Sequence, residues 1–258
     1  MSTLLSELHS ATLTLTLSRP ERANAFNFEM LRELRDALDK VAADESIRCV
    51  VLTGAGGSFC TGHDITEMLA AQADEVSYRE HLEETYTPLI LGIRRLEKPV
   101  IAAINGPVAG AGLGVALACD LRVAAETASL TVGFTGIGLV PDAGVSLLLP
   151  ALIGLGRATE FTFTNQPITA AQALEWGLVN HVLPEESFVP FTQELAWGLA
   201  SGPVGAYGLT KRLFNWTVLA NLEEALAYEG ETQEAASKGS EHREGVRAFL
   251  EKRTPKFR

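Results

Sequence analysis

Residues 99–114 read PVIAAINGPVAGAGLG. An apolar run, Pro99 to Asn105, opens into a glycine-rich loop, Gly106 to Gly114. The run is too short for a buried helix and is bounded by turn residues, so it reads as a strand buried on both faces. Upstream, residues 49–59 read CVVLTGAGGSF: a buried strand from Cys49 to Thr53, then a second glycine loop. Helical sequence precedes both. Met30, Leu31, Leu34, Ala37, Leu38 and Val41 recur at helical spacing over Phe28 to Ala43, with Asn27 placed to cap the helix. Glu67 to Leu96 is mostly helical. Downstream, Val115 to Cys119 continues as a short helix and Leu121 to Ala125 returns to a strand. Near the start, TLTLTL (Thr12 to Leu17) alternates as a half-buried strand does. The pattern is helix, apolar strand, glycine loop, twice over, without a high-identity repeat. It indicates an α/β fold with much parallel pairing. Beyond about Ala151 strand signals fade. A helical, charged tail follows, with Gly202-Pro203 as a hinge. Residues 1–200 are therefore expected to form the core that holds the site, and residues 201–258 a helical region that packs on the core or on another subunit.

Composition narrows the function. The chain has 258 residues, and 47% of them are hydrophobic, which is ordinary for a folded domain. Lys and Arg number 21 against 32 Asp and Glu, a net charge of −11. That balance argues against nucleic acid as a partner. Cys49, Cys60 and Cys119 form no C-x-x-C pair, so reduced thiols are expected rather than a disulfide framework or a metal centre. MSTLLSELHS lacks the basic and apolar segments of an export signal, and no long apolar run suggests a membrane span. A soluble cytoplasmic protein is expected.

The glycine loops carry the chemistry. Ser58 to Ile65 (SFCTGHDI) and Asn105 to Gly112 (NGPVAGAG) each follow a buried strand. Each can bring bare backbone N–H groups to one mouth of the sheet, where two of them would hold a developing oxyanion. Composition alone fits equally well with glycines that serve only turns and helix packing. Neither loop matches the phosphate-binding or dinucleotide patterns. The remaining polar residues read blandly. His9, His81, His181 and His242 lack metal-ligand spacing. The acidic run Glu223 to Glu234 reads as an exposed helix face, Trp176, Trp197 and Trp216 as packing, and Lys211-Arg212 as a minor basic pair.

Taken in order, SRPERANAFN, SFCTGHDITEM, KPVIAAINGPVAGAGLGVALACDLRVAAETA, IGLVPDAGVSLLLP, ALEWGLVNHVLP and AFLEKRTPKF resemble the crotonase superfamily, also called enoyl-CoA hydratase/isomerase, over nearly the whole chain. The resemblance implies a crotonase-type spiral of repeated ββα units with a helical C-terminal trimerisation region, assembled as a homotrimer or hexamer. It also implies acyl-CoA thioester substrates and an enolate held by two backbone N–H groups. These fall at His63 and Ala111, with Gly112 the alternative to Ala111. The His63 imidazole invites a second reading as a general base. No metal or separate cofactor is implied, because CoA is part of the substrate.

Hydratases of the family use two glutamates to activate water; the matching positions here are Gly114 and Phe134. Neither can move a proton, which disfavours hydration. A carboxylate does stand at Asp142. It reads either as the cap of a helix over Val145 to Ile153 or as an acid/base group whose pKa a dry pocket would raise. In the isomerases of the superfamily an acidic residue follows the same proline, and in epoxyphenylacetyl-CoA isomerases it is an aspartate in a similar LVPD setting. The resemblance further implies substrate contacts at Arg22 beside the CoA head, at Asp64 and Ile65 bordering the adenine, and at Phe249 and Lys252 toward a neighbouring subunit's CoA; Thr61 and Gly112 are further expected substrate-binding residues, and Phe134 makes a bulkier, drier pocket wall. Lys252 and Arg253 also fit a solvated helix face. The expected activity is an acyl-CoA isomerase acting on 3-enoyl or aromatic ring-epoxide thioesters. The alternatives are a hydratase or thioester hydrolase of the same fold, or an acyl-CoA-binding protein without turnover.

Overall fold

The structure, a computed structural model, describes residues 2–73 and 77–257. Among these, nine strands form: β1 (Leu4–His9), β2 (Thr12–Leu17), β3 (Cys49–Gly54), β4 (Val100–Ile104), β5 (Val108–Ala109), β6 (Leu121–Ala125), β7 (Ser129–Thr131), β8 (Ile168–Thr169) and β9 (His181–Leu183). The helices are α1 (Phe28–Ala43), α2 (Ile65–Ala73), α3 (Tyr78–Glu84), α4 (Tyr86–Arg95), α5 (Ala111–Ala118), α6 (Val145–Ile153), α7 (Leu155–Thr164), α8 (Ala170–Glu175), α9 (Glu185–Ser201), α10 (Val204–Val218), α11 (Leu222–Ser237) and α12 (Ser240–Leu250).

The main sheet runs β1-β2-β3-β4-β6-β9 and is parallel except for the β1–β2 hairpin. Every residue of β4 is buried, as expected of a central parallel strand covered on both faces. A second, smaller sheet runs β5-β7-β8. Single parallel bridges, Cys60 to Val108 and Phe26 to His63, carry its pairing back to the earlier turns of the chain. Each turn thus lays one strand in the long sheet and one short segment in the second before entering a helix. Those second segments hold the two glycine loops side by side.

Local sequence accounts for most boundaries. The Asn27 side chain accepts from Met30 N at 2.9 Å and starts α1 at Phe28 as expected. The expected helical stretch Glu67 to Leu96 divides into α2, α3 and α4, with a Ser77–Glu80 capping box opening α3. Two expectations need correction, and one strand was not foreseen. The helix expected from Val115 begins at Ala111, inside the glycine loop, because Gly110 takes φ 56° and turns the chain directly into α5. All eight residues of α5 are buried, so packing outweighs the poor helix propensity of its glycines. Strands also do not end near Ala151: β9 pairs with β6 and completes the main sheet. And β1 adds an edge strand in front of β2.

The chain breaks at Gly202-Pro203, between α9 and α10. Beyond it, α10 packs on α4, α11 on α3 and α6, and α12 on the turn at Thr135–Ile137. Lys211 is buried and pairs with Asp120 at 2.8 Å, so it is no surface cluster. The acidic face also needs correction, because Glu229 and Gln233 are buried. So do the tryptophans: Trp176 packs edge-on against Phe161, but Trp197 and Trp216 are 64% and 78% exposed on this chain. Among the described residues no helix is long and apolar enough to cross a membrane.

Candidate active site

The two glycine loops meet at the mouth of a cavity of about 560 Å³. In the bridge to Phe26, Gly62 O accepts from Phe26 N at 2.7 Å and Asp64 N donates to Phe26 O at 2.8 Å. The residue between them, His63, therefore turns its own N–H to the other side. On the second loop, Gly110 N is spent on Val132 O at 3.1 Å, and the first bond inside α5 runs from Gly114 N to Gly110 O. The Ala111, Gly112 and Leu113 N–H groups are the orphan donors of a helix start. A side chain at Gly62 would meet Ala109 O at 3.3 Å and Ala111 N at 3.6 Å. Glycine there lets the two donor loops touch. His63 and Ala111 both line the cavity. Gly112 lies behind the lining: a Cβ there would sit 2.4 Å from Cys60 O, so its role is to let α5 pack against the first loop.

Asp142 lines the same cavity and is buried. It does not cap α6. Its Oδ2 accepts from the Gln233 amide at 2.6 Å, and its Oδ1 has no protein partner. The cap of α6 is taken from the tail: Glu229 accepts from Gly144 N at 2.9 Å, from Ser146 N at 3.1 Å and from the Ser146 hydroxyl. Burial, and then the nearby Glu229 charge, push the Asp142 carboxyl up to about 8. Two consecutive left-handed residues, Ala143 and Gly144, turn the chain from Asp142 into α6. Directly beneath them is Gly114, where a Cβ would stand 2.5 Å from Ala143 O. No side chain fits at this position, let alone a glutamate. Phe134 is buried at the cavity wall. Neither hydratase position carries a proton-moving group.

One wall of the cavity is aromatic. Tyr78 and His81 from α3, Tyr86 from α4 and the His63 side chain line the cavity. His63 Nδ1 lies 2.9 Å from the Tyr86 hydroxyl, and the His63 and His81 rings are 4.6 Å apart, edge to face. Burial, then the neighbouring His81, hold the His63 pKa down to about 3, and burial holds His81 to about 4. A neutral imidazole of so low a pKa is a poor general base, which removes that reading of His63. The Tyr78 hydroxyl meets His242 Nε2 at 3.0 Å, and His242 Nδ1 meets Ile137 O at 2.9 Å, so α12 is tied to this wall.

Arg22 is exposed at the cavity rim, on a 3-10 turn at Pro20–Arg22. Thr61 and Ile65 line the cavity as well. Asp64 does so too but is committed elsewhere: it pairs with Arg19 at 3.0 Å and accepts from the Thr66 N–H and hydroxyl. Burial opposes its ionisation, yet these hydrogen bonds outweigh burial and keep its pKa below the ordinary value. Phe249, 58% exposed, lines the cavity of its own chain. Lys252 lies outside the lining, exposed in the turn after α12 with φ 53°. Arg253 closes on Glu244 and Glu251. Among the described residues no cluster has the makings of a metal site. Tyr78, Tyr86, Glu229 and Gln233 also belong to the site or its support, and no motif in the sequence marks them. The only signal for the last two is a polar pair spaced i, i+4 on the face of α11 that meets α6.

The family model described as Enoyl-CoA hydratase/isomerase matches residues 7–258. The chain is 39% identical over 258 residues to the 1,2-epoxyphenylacetyl-CoA isomerase of Escherichia coli, covering 100% of this chain and 98% of the relative. It is 37% identical over 255 residues to a probable enoyl-CoA hydratase of Rhodobacter capsulatus, covering 99% and 97%. Among solved structures, an enoyl-CoA hydratase from Mycobacterium avium subsp. paratuberculosis superposes with a TM-score of 0.89 at 33% identity, over 100% of this chain and 99% of that one.

Proposed function

The chain is an enzyme that belongs to the enoyl-CoA hydratase/isomerase family, with the crotonase fold, and from that premise we propose that it isomerises acyl-CoA thioesters with Asp142 as its single acid/base group. The supporting observation is that Asp142 alone among the described carboxylates of the cavity has an unpartnered oxygen, while the positions of the two water-activating glutamates are Gly114 and Phe134.

In this reading the thioester carbonyl oxygen sits between the His63 and Ala111 N–H groups. Asp142 takes the proton α to the carbonyl, and the electron pair moves onto the oxygen as an enolate. The same carboxylic acid then returns the proton further along the acyl chain, which shifts the double bond without water or a separate cofactor. A ring epoxide of an aromatic acyl-CoA is the second substrate type: removal of the α proton gives the same enolate, and its electron pair opens the epoxide C–O bond at the β carbon. Aspartate is a weak base toward a carbon acid, so the preorganised donors and proximity supply most of the rate. A carboxyl with a pKa near 8 loses and regains its proton close to neutral pH, as a shuttle must. Arg22 at the rim and Phe249 at the mouth are the proposed CoA contacts. Exposed Leu213, Phe214 and Trp216 on α10 support a homotrimer or hexamer.

The test is Asp142→Asn, assayed with 3-enoyl-CoA and aromatic ring-epoxide CoA esters. The expected fall in kcat is about 10² to 10⁴. Full activity in the variant would remove Asp142 from the mechanism. Incorporation of labelled solvent oxygen into product would favour hydration instead.

A further inference from the structure

Asp142 stands just ahead of α6, where an aspartate ordinarily turns back and caps the first N–H groups of a helix. Here a different carboxylate fills that role. Glu229 comes from α11, is 3% exposed, and spends both oxygens on Gly144 and Ser146. Burial raises the Glu229 carboxyl above its ordinary value, but both its oxygens accept, from two backbone N–H groups and a hydroxyl, and these hydrogen bonds oppose that rise and favour the ionised form. Asp142 keeps one donor, the Gln233 amide, one helical turn along α11 from Glu229. The other ionisable groups coupled to Asp142 are the phenols of Tyr78 on α3 and Tyr86 on α4. Burial, and then the Asp142 charge, raise both, so they stay protonated. Among the described residues no cation pairs with either carboxylate.

We propose that Glu229 is a positioning residue for the reaction: by occupying the cap of α6 it keeps the Asp142 carboxyl off the helix N-terminus and free to face the acyl group. The inference rests on the acid/base reading of Asp142. Two effects follow from one side chain. The helix N-terminus and its N–H groups, which would stabilise an Asp142 anion and make it a weaker base, are already satisfied. And the negative charge placed there instead disfavours a second negative charge on Asp142. Glu229 itself is insulated from the cavity. It is absent from the lining, so it acts only through Asp142.

The test is Glu229→Gln. The amide keeps the size but removes the charge and offers N–H where an acceptor is needed. The pH midpoint of kcat is expected to fall by at least one pH unit, and plateau kcat at least tenfold, with KM changed less than kcat. Titration of the Asp142 carboxyl by ¹³C NMR in labelled protein is expected to show the same downward shift. A folded Glu229→Gln protein with the wild-type midpoint in both readouts overturns the proposal. If Glu229→Gln does not fold, Glu229→Asp is measured in its place. It keeps the charge but withdraws the cap, so kcat is expected to fall at least threefold; wild-type kcat and midpoint would overturn the proposal. The NMR titration needs no activity. A shift in Glu229→Gln alongside an active Asp142→Asn would therefore fault the acid/base reading of Asp142 and leave Glu229's control of its ionisation standing.

Discussion

His63 and His81 illustrate a cost borne by individual residues around the cavity. His63 Nε2 and both nitrogens of His81 are buried without a protein partner, and the Glu67 carboxylate is 3.9 Å from His63 Nε2, outside hydrogen-bond reach. Both imidazoles have folded-state pKa values well below their ordinary 6.5, about 3 and about 4. Below pH 6.5 the unfolded chain therefore binds protons that the folded chain refuses. Above pH 6.5 their ionisation costs the fold nothing; below it stability is lost progressively as pH falls, down to about 4 for His81 and about 3 for His63. Thermal unfolding followed from pH 7 to pH 4 should show this acid limb, and His81→Leu should make it shallower. An acid limb of unchanged steepness in that variant would show that His81 is not buried neutral. At neutral pH the same variant should gain about 1 kcal/mol, the cost of leaving such a group unpaired, or about 2–4 °C in Tm for a chain of this size. None of this was legible in the sequence. A histidine carries the same letter on a surface and in a dry wall, and only the packing of α3 against Phe28, His63 and Tyr86 separates the two.

Among the elements, α5 and the turn into α6 fix what chemistry the cavity can host. Gly114 lies under Ala143, and Ala143 is joined to Asp142, so any side chain at 114 must displace the turn that carries Asp142. Gly114→Ala is expected to cost about 1–3 kcal/mol through overpacking and to lower kcat along with it. A urea unfolding midpoint and kcat both at wild-type values would mean the turn yields freely. Gly114→Glu should lose activity without gaining hydration. The sequence was most legible where independent signals coincide. Over α1 the cap at Asn27, the helical periodicity and the buried stripe agree. It was least legible where they conflict. The glycines of α5 argue against a helix, yet they are what allow it to lie against Cys60 and Ala143. β9 has three residues, too few to display alternation. In α11 the acidic neighbours of Glu229 and Gln233 hide a buried polar stripe, since composition cannot reveal which face of a helix meets the core.

At the scale of the whole molecule, the chemistry crosses the compositional change near residue 200. His63, Ala111 and Asp142 precede it, while Glu229, Gln233, His242 and Phe249 follow it. The fastening between the two parts is polar and partly buried. Lys211 on α10 pairs with Asp120 at 2.8 Å. Arg94 on α4 reaches Asp120 at 3.3 Å and Asn215 Oδ1 at 2.7 Å, and the Asn215 side-chain amide donates back to Arg94 O at 2.7 Å. Lys211→Met keeps the aliphatic packing and removes the charge. Breaking a fully buried pair costs about 3–5 kcal/mol. The loss here should fall at or below the low end, because Asp120 is part-exposed and keeps Arg94. The loss should be local first. Hydrogen exchange in α10 and α11 is expected to quicken while β3 and β4 stay protected. Opening of α11 withdraws Glu229 and Gln233 together, so kcat should decline at temperatures where the sheet is still folded. If exchange in α11 rises while kcat is unchanged up to global unfolding, the tail is a support for the fold and not part of the catalytic apparatus. If protection of α11 and kcat fall in step, the segment that composition marks off from the core is what holds the Asp142 carboxyl in the state the proposed reaction needs.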